Sequence, residues 1–415
     1  MPQRWEPQAL HQAQAARQAM PDVLSLALMQ SRNVTLAWLQ YFEQAQWPDR
    51  QAHSSGEFDV LGEVARVAWA QEYWIARNVQ RQRGPAASAR APRLPSVHPH
   101  ADRWWSPEVR GRGKQDAQEV RQFLSLTLES TLELLQGLPA SDHHDEGLHL
   151  YRWALFHEDR LSERLAVAAH WLGSGPANGM SPPQGHAPAQ RSLRAPVWMP
   201  SQQFEVGSTP GGLVPPAERW RTSVSVPEFE IDAQAVTWSQ MAEFAQDGGY
   251  DEAKWWSPAG WDWAVAQARR APRGVAHWHA GAAREVGSRL QRTPMAQAVA
   301  HVSYYEAQAW CAWAGRRLPT EVEWELCACT AASRGFVWAD VWEWTLGQPR
   351  AWQDSDGPAD SSPVAGFGPL EAPAHHRVLR GASTWTAPRC VHPRTRRFVA
   401  PDRDDLFVGF RSCSL

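Results

Sequence analysis

"HVSYYEAQAWCAWAGRRLPTEVEWE", residues 301–325, decides how the second half of the chain is read. It contains the helical stretch "SYYEAQAWCAWAG" and opens a second one, "TEVEWELCAC". Outward from it, strand-like pieces are short and broken by Gly and Pro: "QQFEVGST" (202–209), "VSVPEFEIDAQAVTW" (224–238), "HRVLRGAS" (376–383) and "LFVGFRSC" (406–413). This mixture predicts an irregular, loop-rich α+β domain over 195–415.

The first half has a different texture. Apolar residues recur at helical spacing over roughly 21–46, 57–83, 115–137 and 146–173. A Pro-rich loop, 84–107, separates the second segment from the third. Four helices with one long crossing connection predict a four-helix bundle over 1–173. The stretch "GSGPANGMSPPQGHAPAQRS" (173–192) has no periodicity, and 174–194 reads as a linker.

Composition narrows the function classes. The 415 residues carry a formal net charge of −3, so no global charge draws the chain to nucleic acid or an anionic membrane. The polar N-terminus lacks an apolar signal core, and no apolar run approaches the roughly 18 residues of a membrane span. The five cysteines show no zinc spacing and read as reduced thiols of a cytoplasmic protein. The 25 tryptophans read as packing in a loop-rich fold, with an aromatic pocket for a flat or cationic ligand as the alternative.

The phrases 301–325, "VWEWT" (341–345), "RVLRGAS" (377–383) and "FVGFRSC" (407–413) resemble, in order and wording, the sulfatase-modifying-factor or formylglycine-generating-enzyme family. That resemblance implies its C-type-lectin-like fold for 195–415. Formylglycine generation itself needs two cysteines after the "RGGS" motif to hold copper, whereas "RGASTWTAPRCVHPR" offers Cys390 alone. With the helical half, "QEYWIARNVQRQRG" (71–84) and "LYRWALFHED" (150–159) resemble the ergothioneine- and selenoneine-synthase family. "RLPSVHPHADRWW" (93–105) and "DGGYDEAKWWSPAGWDW" (247–263) resemble its selenoneine branch. The resemblance implies a DinB-like bundle ahead of the domain. It also implies an Fe(II)- and O₂-dependent attachment of sulfur or selenium to the imidazole of a histidine derivative.

It further implies three histidine ligands, one on the second helix and two, four residues apart, on the fourth. Residues i and i+4 share a helix face, so both imidazoles reach one ion. Here Arg66 stands at the first position, His157 at the second and Leu161 at the third. A guanidinium donates and does not ligate, and an isobutyl group has no donor atom. The expectation is therefore no cofactor, with Arg66 paired to a carboxylate such as Glu63 and Leu161 packed apolarly. Fe(II) returns only if other residues rebuild the site.

In the family a C-terminal loop contacts the substrate; the matching stretch "RRFVAP" (396–401) supplies Arg397 and Phe398. Arg397, with its neighbours Arg377, Arg380, Arg389, Arg394, Arg396 and Arg403, reads as favouring an anion. The alternative is that most of them are solvated or bridge to Asp402, Asp404 and Asp405. "VWEWT" reads as structural, with pocket lining by Trp344 as the alternative. Two functions stay open: a binding, regulatory or partner protein that has lost iron, for instance beside an intact paralogue, and an active O₂-dependent C–S or C–Se bond-forming enzyme with a remodelled site. A metal-free enzyme acting on an anion is a third. The implied ligand is a histidine derivative or an anion.

Overall fold

A computed structural model describes residues 6–45, 51–53, 56–88, 91–102, 116–171, 182–278, 282–286, 289–352 and 373–415. Most of the helical half is built from α1 (Pro7–Arg17), α2 (Pro21–Gln44), α3 (Val60–Gln71), α4 (Ala117–Gln136) and α5 (Asp145–Trp171). The last four match the predicted segments, with one correction. The second segment begins later than predicted, because Gly56–Phe58 pairs antiparallel with Gln51–His53 and the helix starts after it. Asp59 caps that start by accepting from the Gly62 amide at 2.9 Å. At its other end α3 loosens into a π-helical turn, Glu72–Ala76.

α1 was not predicted. Its sequence, "PQALHQAQAAR", has too few apolar residues to show a periodic face. It is held by tertiary contacts: it packs on the turn Pro388–Cys390, and Arg17 forms a two-pronged ion pair with Glu218 at 2.6 and 3.1 Å. Burial alone would raise the Glu218 carboxyl, but Arg17 holds it down at about 2.

The second half is α+β, as expected. Its main sheet has the order Arg396–Val399, Arg377–Gly381, Trp342–Trp344, Val408–Phe410, with the last pair parallel. Helices Trp238–Gln246, Tyr304–Trp313 and Glu321–Thr330 each open with a capping box, Thr237/Gln240, Ser303/Glu306 and Thr320/Glu323. The bundle core continues across the seam, since Ala387, Cys390 and Phe407 are buried in the same cluster as Trp153, Leu161 and Leu165. Of the predicted linker, residues 174–181 lie outside the described residues, and 182–194 run without helix or strand. Among the described residues no helix is long and apolar enough to cross a membrane.

Candidate functional site

α3, which carries Arg66, packs against α5, which carries His157 and Leu161. The His157 imidazole is buried and stacks on Trp153 at 4.9 Å with ring planes 13° apart. Burial, then the charges of Arg164 and Arg160, push its pKa down to about 3, so the ring is neutral at physiological pH. Leu161, one turn on, is completely buried among apolar neighbours. Arg66 forms an ion pair with Glu63, whose other oxygen takes Arg164 from α5 at 3.1 Å. The expected pairing of Arg66 with Glu63 is present, and Arg164 extends it across the helix pair.

Three more carboxylates on the same stretch of α5 are each gripped by an arginine. Glu158 accepts from Arg32 of α2 at 2.7 and 3.0 Å and from the Thr35 hydroxyl at 2.8 Å. Asp159 accepts twice from Arg389, at 2.9 Å each, and from the Ser31 hydroxyl at 2.8 Å. Glu163 accepts from the Trp342 indole at 2.7 Å, the Ser383 hydroxyl at 2.6 Å, Thr386 at 3.2 Å and Arg397 at 3.2 Å. The guanidinium of Arg397 also lies 4.9 Å over the Trp342 ring. Two-pronged carboxylate pairs of this kind suit arginine and not lysine.

The sequence-based site residues separate in the structure. His157, Arg66, Leu161 and Arg397 gather along α5 and the seam. Phe398 does not join them: side chains alternate along a strand, and Phe398 shares a face with Arg396, whose guanidinium lies 5.1 Å from its ring. Trp344 is wholly buried, with its indole donating to the Val302 carbonyl at 2.8 Å. Its neighbour Trp342 is the residue of that motif that meets the bundle. The arginines depart from the reading that most are solvated or bridge to Asp402, Asp404 and Asp405. Among them only Arg403 pairs with the nearby acidic run, at Asp405, while Arg380 and Arg394 grip buried Glu325 and Arg396 grips Glu321. Arg389 and Arg397 pair with Asp159 and Glu163 of α5. Arg389, Ser383 and Thr386 were legible as polar residues in the sequence, but nothing local marked their partners.

Iron does not fit these residues. Of the three positions, one offers a neutral imidazole, one a guanidinium and one a hydrocarbon, and the adjacent carboxylates already hold arginines. Among the described residues no group of three or more His, Cys, Asp or Glu side chains is placed to hold a metal ion.

Comparison with known proteins adds the following. The family model described as sulfatase-modifying factor enzyme 1-like domain matches residues 183–340. A hercynine oxygenase of Mycolicibacterium smegmatis is 27% identical over 95% of this chain and 98% of its own length. A formylglycine-generating enzyme of Streptomyces coelicolor is 32% identical over 49% of this chain and 70% of its own length. A mouse protein called inactive C-alpha-formylglycine-generating enzyme 2 is 30% identical over 46% of this chain and 68% of its own.

Proposed function

The chain belongs to the sulfatase-modifying-factor family, in the ergothioneine-type form that sets a helical bundle before the domain, and from that premise we propose that it works without iron. In this reading it is a cytoplasmic binding, regulatory or partner protein derived from the selenoneine branch. The observation that carries it is Arg66, bound to Glu63 at the first ligand position, together with the buried Leu161 at the third. A guanidinium donates and cannot ligate a cation, and a leucine side chain has no donor atom. The second reading, an active O₂-dependent enzyme forming a C–S or C–Se bond on a histidine derivative, is favoured by the hercynine oxygenase likeness along nearly the whole chain.

Anaerobic reconstitution with Fe(II) followed by metal analysis tests the proposal. The full chain is expected to retain no stoichiometric iron, whereas the Arg66→His/Leu161→His double variant regains it. Near-stoichiometric iron in the unaltered chain would overturn the reading in favour of the enzyme. No iron in the double variant would show that these positions never formed the site.

A further inference from the structure

Arg284, on the strand Ala282–Val286, breaks the pattern of the buried arginines. Seven of the eight hold a carboxylate; Arg284, 7% exposed, holds none among the described residues. Its guanidinium lies 4.8 Å over the Trp238 ring and donates to His170 Nε2 at 3.5 Å. Neither partner carries charge: burial, then Arg284 itself, push the His170 pKa down to about 3. Burial lowers the Arg284 pKa only to about 10, so the guanidinium stays charged at neutral pH. A buried charge without a counter-ion costs free energy until one is supplied.

His170 lies in the last turn of α5, about 20 Å along the helix from His157, so this place is separate from the three ligand positions. Its ring stacks on His301 of the second half at 4.6 Å, and Trp171 meets His301 edge-on at 4.7 Å. Arg273 lies 4.6 Å over the Trp171 ring, and Arg284 stands opposite Val275, two residues further on. After burial and His170, the charges of Arg284 and Arg273 push the His301 pKa down, so both act on this stack. The acids nearby are committed. Asp404 takes Arg269 and, at 3.0 Å, Arg273, while Asp405 takes Arg403. Glu306, raised to about 7 by burial and by Asp404, accepts from the Tyr250 hydroxyl at 2.7 Å and the Ser303 amide at 2.8 Å. Arg269 and Arg273 thus share one carboxylate and Arg284 has none, and the cluster opens to water at Arg273, whose side chain is 24% exposed.

We propose that this end of the seam is a binding site for a small oxyanion, held between Arg284 and Arg273. Two oxygens of a sulfate, phosphate or carboxylate match the forked N–H groups of a guanidinium. The rings of Trp238 and Trp171 lie under the two guanidinium groups and keep them in place. His170 and Trp171 belong to the bundle, and Arg284 and Arg273 to the second half. The bound anion therefore ties the halves together and stabilises the folded chain by mass action. The site is independent of whether iron binds, since none of its residues occupies a ligand position.

Isothermal titration of the full chain with inorganic sulfate and with acetate, in sodium chloride at fixed ionic strength, tests the assignment. Saturable binding with a Kd below about 1 mM is expected for at least one of them, and the tighter of the two assigns the site to a tetrahedral oxyanion or to a carboxylate. Arg284→Met keeps much of the buried volume and removes the charge. Arg273→Gln removes the charge at the mouth while Arg269 still holds Asp404. Each is expected to weaken binding at least 10-fold while circular dichroism stays that of the parent. The urea midpoint of the parent is expected to rise with the anion, and that of Arg284→Met to stay where it is. Should Arg284→Met fail to fold, Arg273→Gln alone decides. No saturation with either anion, unchanged affinity in a folded variant, or an equal rise of the midpoint in Arg284→Met would each overturn the proposal.

Discussion

Replacing His157 by Phe gives the most direct test of the electrostatics of α5. The aromatic ring keeps its stack on Trp153, but the titrating group is gone. The folded-state pKa is about 3 against an ordinary 6.5, so the unfolded chain binds the proton more readily. The stability due to neutral His157 is present in full above pH 6.5 and is lost progressively as pH falls from 6.5 towards 3. At pH 5 the unfolded imidazole is nearly all protonated and the folded one nearly all neutral. At about 1.36 kcal/mol per pH unit, this amounts to about 2 kcal/mol between pH 7 and pH 5. Other titrating groups, among them His392 at about 3 and Glu306 raised to about 7, act equally in parent and variant and cancel. Urea denaturation at both pH values should show the variant losing about 2 kcal/mol less than the parent on acidification. Equal losses would mean that His157 is solvated or charged in the folded protein, and the account of a dry, neutral ring would fail.

Three other substitutions probe the same helix. Arg32→Met leaves the Glu158 carboxylate buried without its guanidinium, and urea midpoints should fall by an equivalent of about 3–5 kcal/mol. Trp342→Phe keeps an aromatic ring under Arg397 but removes the indole N–H from Glu163; with the other donors retained, calorimetry should show a loss of about 1 kcal/mol. Leu161→Ala opens a cavity at a fully buried site and should cost about 2–5 kcal/mol by the same denaturation assay, whereas a solvent-facing leucine would cost little.

The sequence made the architecture readable because periodicity and motif order are local signals. α2, α4 and α5 lie close to where their apolar spacing puts them, and the second half has the expected mixture of short strands and helices. α1 was missed because its stability comes from Arg17–Glu218, a contact spanning 201 residues, and not from its own pattern. In the candidate site, Arg66–Glu63 was legible because three residues along a helix are neighbours. Asp159–Arg389 and Glu163–Arg397 join residues 230 and 234 positions apart, and nothing in either segment names its partner. Trp344 and Trp342 could not be ranked by sequence either. They differ in what lies opposite: the Val302 carbonyl for one, Glu163 for the other.

The arginine grips on α5 bear on how the chain folds. Asp159 and Glu163 are buried against Arg389, Ser383, Thr386 and Arg397, all supplied by the second half. The bundle therefore completes its own charge balance only when the other half has docked. The two halves are thermodynamically coupled, because undocking one leaves buried carboxylates of the other without their partners. A free bundle would carry two carboxylates facing a surface that expects guanidinium groups, and synthesis of the bundle would run well ahead of the residues that settle it.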